Sequence, residues 1–260
     1  MHPFVQPLRS KLVDGQAAPG LAAVLFFILA IGAPAQTAPS LDTDPHLVGW
    51  WKFDEVAGTK AADSSKQAHH GTLEGQLSFD THSAPGRLGQ ALKLDGNADG
   101  VRITGYKGVT GPQARTVAAW IKTPVASGTI VSWGFDDHGQ MWNFTHVRGR
   151  IGVTPKGGYL YMKAATRDDA WHHVAVVVQE ASPPNLHDHV KLFRDGELAE
   201  IDDIGLLDLW PIETGDKLDV TIGRQFKGLI DDLRIYDRPL SEDEVKALFK
   251  LAGNQPPTKP

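Results

Sequence analysis

The sequence predicts an all-β protein, a two-sheet antiparallel β-sandwich with a short C-terminal helix, and three observations carry the prediction. Short runs of strand-forming residues recur through the middle of the chain with turn residues between them, the rhythm of stacked sheets rather than of alternating strand and helix. The run from Trp171 to Gln179 is continuous and β-branched, as expected of an inner strand covered on both sides. The stretch from Phe226 to Phe249 reads as a strand, a turn and the start of a capped helix, and convincing helical spacing is nearly absent before it.

The first 35 residues read as a signal peptide. Arg9 and Lys11 precede an apolar run from Leu21 to Ile31, and Ala33-Pro34-Ala35 supplies the small-x-small pattern, with cleavage expected after Ala35. That run is about half of the ~20 residues a stable membrane-crossing helix needs, so a secreted, periplasmic or cell-surface location is expected, with no membrane span in the mature chain. Residues 36–45 read as a polar linker, 46–251 as one folded domain and 252–260 as a disordered, Pro-rich tail. One domain suits the length, since all-β sandwiches commonly run to about 200–250 residues.

His46 to Glu55 (HLVGWWKFDE) reads as the first strand, with Trp51 and Phe53 on one face and Trp50, Lys52 and Asp54 on the other. Small and polar residues from Val56 to His70 then make a long loop containing Asp63. Further strands are expected at 91–94, 100–103, 115–122, 129–133, 141–146, 149–153 and 159–163. After Trp171 to Gln179 come 190–194 and 197–201, flanking Asp195-Gly196, a two-residue hairpin signal that needs positive φ at both positions. In the stretch near the C-terminal end, alternation places Leu229, Asp231, Leu233 and Ile235 on one face and Ile230, Asp232, Arg234 and Tyr236 on the other. An acidic pair inside such a strand needs a partner, either Arg234 or a metal ion. Ser241 followed by Glu244 forms a capping box that opens a helix carrying Val245, Leu248 and Phe249 on one face.

The run GLIDDLRIYDRPLSEDEV, taken with the early WWKFDE and the central WHHVAVV, resembles the laminin-G-like, concanavalin A-like jelly-roll modules of extracellular proteins, from roughly Leu47 to Leu251. The resemblance is specific for the fold and much less so for the ligand, because the same sandwich carries lectins, adhesive modules and glycoside hydrolases. It implies a calcium ion near the acidic residue after the first strand and the aspartate of the last strand, positions that correspond to Asp54 and Asp231. Asp63, in the loop between, is a further candidate oxygen donor, since calcium takes about six to eight oxygens. The competing reading has Asp54 capping its own loop and Asp231 paired with an arginine.

The candidate ligand-binding residues are Asp136, Asp137 and His138, on a polar loop between two strands, with Trp142 beside them as a flat face for a sugar ring. The aromatic string Trp133, Phe135, Trp142 and Phe144 reads equally as core. A net charge of −5 without long runs of one sign argues against a nucleic-acid surface, and the absence of cysteine rules out disulfides and thiolate zinc sites. Adjacent histidines at 69–70 and 172–173 point to opposite faces of a strand and cannot grip one ion, and His187 and His189 have no third ligand in view. Glu200 and Asp202 come nearest to a glycosidase carboxylate pair, but the second glutamate of such a motif is missing. The expectation is therefore a noncatalytic, lectin-like module that recognises carbohydrate or an extracellular protein, braced by calcium. The alternatives are a glycoside-active enzyme of the same fold and an adhesive or structural module without a pocket.

Overall fold

The computed structural model describes residues 40–205 and 210–254, so the predicted leader and most of the tail lie outside it. Seventeen strands follow in order: β1 (Leu47–Trp51), β2 (Lys60–Ala61), β3 (Gly71–Leu73), β4 (Ser83–Pro85), β5 (Gln90–Asp95), β6 (Val101–Ile103), β7 (Arg115–Lys122), β8 (Gly128–Gly134), β9 (Met141–Val147), β10 (Arg150–Thr154), β11 (Tyr159–Ala165), β12 (Trp171–Val178), β13 (Val190–Arg194), β14 (Glu197–Leu198), β15 (Ile201–Gly205), β16 (Leu218–Ile222) and β17 (Lys227–Tyr236). The helices are single turns at α1 (Phe79–His82) and α2 (Leu186–His189), and the longer α3 (Glu242–Leu251).

The strands form two antiparallel sheets, the jelly-roll sandwich expected. The eight-stranded sheet runs β14-β13-β12-β7-β17-β5-β4, with β1 also pairing β17, and the nine-stranded sheet runs β15-β11-β10-β9-β8-β16-β6-β3-β2. Between them lies one apolar core that includes Trp51, Phe53, Ile121, Trp133, Trp142, Phe144, Val176 and Ile235. β1 stops at Trp51, and two residues later Phe53 takes φ +61°, a left-handed turn that still leaves its ring fully buried.

A second, smaller cluster covers the outer face of the eight-stranded sheet. Trp50, Ala118, Ala175, Val177, Phe193 and Tyr236 pack there against Leu240 and against Val245 and Leu248 of α3. The predicted capping box opens α3 as expected: the Ser241 hydroxyl accepts from Glu244 N, and Ser241 N donates to the Glu244 carboxylate. Residues 40–44, expected as part of the linker, are tied to this side of the body, Asp42 by Arg234 and Asp44 by Arg238.

Two expectations need correction. Simple alternation fails in β17, because its register against β7 shifts between Asp231 and Arg234 and Asp232 takes φ +48°. That bulge puts Ile230, Leu233 and Ile235 in the main core, while Asp232, Arg234 and Tyr236 face the outer cluster. The expected strand 197–201 is also two strands. β14 ends at Leu198 in one sheet and β15 begins at Ile201 in the other, the chain crossing between layers through Ala199 and Glu200. The hairpin before it is as expected, with φ +53° at Asp195 and +81° at Gly196.

Candidate functional site

The two ends of the domain meet at β17. β1 lies beside its second half, pairing Trp50 with Arg234 and Trp51 with Leu233, while β5 lies beside its first half, pairing Leu92 with Ile230. The bulge sits between them. Asp231 is wholly buried there, and its Oδ2 accepts from the backbone N of Arg87 (2.7 Å) and Leu88 (2.8 Å), in the turn between β4 and β5. Its Oδ1 is buried with no partner. Burial pushes the Asp231 carboxyl up to about 8, and the neighbouring charges of Asp232 and Asp54 push the same way, against the two backbone bonds.

Asp54 faces the same turn, its Oδ1 accepting from Gln90 N at 2.8 Å. Gly89 has φ +71°, and a Cβ there would stand 2.1 Å from Asp54 Oδ1, so only glycine lets the turn close over this carboxylate. Two of the three predicted metal ligands are thus brought to one turn. Asp63 has other partners: Oδ1 accepts from Trp50 N and Ser65 N, and Oδ2 from Ser65 Oγ and His69 N, so its carboxylate organises the loop after β1. Among the described residues no three His, Asp or Glu side chains gather into a metal centre, so Asp54 and Asp231 form a pair rather than a cage.

Beside this pair is a cleft of about 380 Å³ lined by Asp42, Trp50, Lys52, Asp54, Asp232 and Arg234, among others. Its aromatic surface is already taken. The Arg234 guanidinium lies 4.1 Å and the Lys52 ammonium 4.2 Å from the Trp50 ring centre, and the indole N–H of Trp50 donates to Asp232. Arg234 in turn bonds Asp232 at 3.0 Å, so the arginine partners Asp232 and not Asp231, whose bonds come from backbone N–H groups.

The predicted ligand loop divides. Asp136, Asp137 and His138 are exposed together between β8 and β9, in a turn closed by Phe135 N to Gln140 O (2.9 Å) and Gln140 N to Asp137 O (3.1 Å). Asp136 pairs with Lys156 at 2.9 Å, and hydrogen bonds from His138 hold the Asp137 carboxyl below its usual value. Trp142 is not with them. It is fully buried, 5.7 Å from Trp133 between ring centres, with the Arg115 guanidinium 5.0 Å from its ring, so no ligand reaches its face. The aromatic that does stand beside the loop is Trp210, 41% exposed, its ring 4.8 Å from that of His138. The sequence holds a signal for it, a tryptophan next to Pro211 outside any strand pattern.

Among the described residues the outer face of the nine-stranded sheet carries no apolar cluster like that under α3, and α2, which touches β11, buries its Leu186 in the main core. Val101, Ile103, Val220, Ile222, Val131, Trp133, Trp142 and Phe144 point into the core, so the residues between them point out. Register then places Thr72, Arg102, Thr221, Ser132, Asn143 and Thr154 opposite one another, a polar ladder across six strands. Ser132 and Thr221 share a hydrogen bond of 3.0 Å, and Arg102 bonds Glu74 at 2.6 Å. A groove of about 350 Å³ runs along this face, lined by Arg102, Ser132, Thr221, Arg224, Gln225 and Leu218 among others. Sequence reading missed it because β16 was not anticipated, and without β16 the ladder has no middle.

The carboxylates weighed for glycosidase chemistry are engaged elsewhere. Glu200 pairs with Lys163 at 2.8 Å and Asp202 with Arg150 at 2.7 Å, both acids exposed along the β11–β15 border of the sheet. His172 and His173 do face opposite sides of β12. His172 bonds Asp195 and Asp168, whereas His173 packs against Trp120.

The family model described as the concanavalin A-like lectin/glucanases superfamily matches residues 95–246. No curated protein sequence matches the chain. Among solved structures, domain 4 of an extracellular arabinanase from Geobacillus stearothermophilus, determined in complex with arabinotriose, is 21% identical, with a TM-score of 0.57 over 78% of this chain and 97% of that one. The binding domain of Paraclostridial mosquitocidal protein 1 is 17% identical with a TM-score of 0.53, and the receptor-binding domain of botulinum neurotoxin D is 14% identical with a TM-score of 0.50. They are matched over 80% and 81% of this chain, which spans about half of each (53%). At these identities the likeness is one of fold.

Proposed function

This chain belongs to the concanavalin A-like lectin/glucanase superfamily, and from that membership we propose that it is an exported, noncatalytic carbohydrate-binding module whose ligand lies along the open face of the nine-stranded sheet. The observation that carries this reading is the contrast between the two outer faces. One is sealed by α3 and an apolar cluster, and the other presents a ladder of hydroxyl, amide and guanidinium groups with strands spaced about 4.8 Å apart. Sugars are bound through many hydrogen bonds to such groups, with apolar contact to the ring faces. The bound arabinotriose of the arabinanase domain supports carbohydrate as the class to try first.

A glycan array run beside hydrolysis assays tests it. Binding without turnover is expected, and Arg102→Ala and Asn143→Ala should weaken it by about tenfold each, the value of one hydrogen bond to a charged or well-placed group. Capture of an extracellular protein with no glycan retained would overturn the carbohydrate reading and favour the adhesive alternative.

Calcium belongs to the same proposal. The unpartnered buried Oδ1 of Asp231 and the Asp54 carboxylate on the same turn fit a hard cation, with the remaining oxygens supplied by backbone and water. The ion would neutralise two acids and pin β17 to the 86–90 turn. Calcium about a hundredfold above its dissociation constant should stabilise the fold by about 2.7 kcal/mol. Asp231→Asn should abolish that response, and a thermal midpoint indifferent to both calcium and chelator would retire the idea.

A further inference from the structure

We infer that the half-exposed indole of Trp210 is a stacking platform for one neutral ring of an oligosaccharide, the rest of which continues into the groove on the nine-stranded sheet. The inference rests on the carbohydrate reading and adds to it a residue, a location and a ligand charge.

The platform is built rather than incidental. Two residues after Trp210, Ile212 is fully buried, and its backbone N donates to Pro184 O at 2.8 Å. The segment is then stitched to the β8–β9 loop by Glu213 N to Gly139 O and Gly215 N to Gln140 O, each 2.9 Å. The His138 ring lies against the indole, its plane tilted by 37°, and Gly157 leaves room for both. A Cβ at Gly157, where φ is +90°, would stand 2.5 Å from Trp210 Cδ1 and 2.6 Å from His138 Cδ2. An exposed tryptophan held this way loses little freedom when a ligand arrives.

The platform and the groove lie at the same end of the nine-stranded sheet. Of the six large apolar side chains exposed among the described residues, three, Trp210, Phe135 and Leu218, stand there. Leu218 lines the groove and pairs with Gly134, Phe135 follows Gly134, and His138 lies three residues before Met141, another groove residue. Apolar patches interleaved with hydrogen-bonding groups suit a ligand whose rings have C–H faces and hydroxyl rims. Charge narrows the class. Asp136 and Asp137 precede His138 on the exposed loop, and Lys156 is paired with Asp136, whereas Arg102 and Arg224 line the groove beyond, so the carboxylates stand beside the platform and it is the ring seated there that should be neutral.

The test is calorimetric titration of the full chain with neutral oligosaccharides of graded length from the cello, xylo and arabino series, together with an oligogalacturonide. The variants are Trp210→Ala and Gly157→Ala, with thermal unfolding to confirm that both remain folded. In the parent protein affinity should rise with oligomer length until the platform is reached. Trp210→Ala should remove the last step and raise the Kd of the longest ligand about tenfold, and Gly157→Ala should do the same while keeping the indole. Equal affinity in parent and Trp210→Ala overturns the platform but leaves the groove reading standing. A loss of oligogalacturonide affinity in Trp210→Ala as large as that of the neutral chains overturns the charge assignment, and no binding by any sugar to the parent removes both readings.

Discussion

His172 and His173 are adjacent on β12, yet they are pulled in opposite directions. His172 is raised above the usual histidine value by its hydrogen bond to Asp195 and a second to Asp168, against burial and the nearby Arg194. His173 is pushed down to about 3 by complete burial, and the Arg234 charge adds to the effect. The contribution of His172 is therefore fully present below the unfolded value near 6.5 and lost as pH climbs through its raised folded value. That of His173 is present above 6.5 and lost as pH falls toward 3. His146, driven to about 4 chiefly by burial, has the same sign as His173. Urea midpoints should consequently fall on both sides of neutrality, with His172→Gln flattening the alkaline side and His173→Gln making the acid side shallower. Unchanged limbs in both variants would show that other groups set the profile. The opposed faces were legible in the sequence from strand alternation alone. The partners were not, since Asp168 and Asp195 reach His172 from separate turns.

At the level of single elements, the sequence was most informative where local chemistry suffices. The Asp195-Gly196 turn, the Ser241 capping box and the whole of β7 and β13 are where the residues place them. What it hid were features decided by a neighbouring strand. The bulge in β17 depends on β1 and β5 sharing one flank, and nothing within LIDDLRIY announces an extra residue. β16 was overlooked for a similar reason: LDVTI is short and looks like loop until β6 and β8 pair with it. The site inherited these gaps. Asp54 and Asp231 could be placed together, whereas Asp63 and Trp142 were assigned by composition and turned out to be a loop clip and a core ring. For α3 the expectation is quantitative. Ser241→Ala removes one half of the capping box and should cost about 1 kcal/mol, with faster hydrogen exchange confined to the first turn. Exchange unchanged in that turn would mean that packing of Val245 and Leu248 alone holds the helix.

For the whole molecule, the segment that matches the family is only part of the folded body. Residues 95–246 omit β1 and all of β5 but its last residue, the two strands that cover one flank of β17, and they omit Trp51 and Phe53 from the core. A fragment with those bounds should lack a cooperative unfolding transition, while residues 40–254 should show a single one by circular dichroism and calorimetry. A cooperative 95–246 would mean that β7 alone can support β17. The architecture itself was readable from the rhythm of strands and turns, because two layers are the way so many short apolar runs can share one interior. The allocation of strands to layers was not readable, since Ala199 and Glu200 look no different from the residues on either side of them.

The pairing of β1 with β17 also governs when the molecule can exist. Leu47 leaves the ribosome long before its partner Tyr236, so the central layer cannot close until β17 has been made. Until then Trp50 and Trp51 have no permanent shelter, and the nascent polypeptide stays slack and open to self-association.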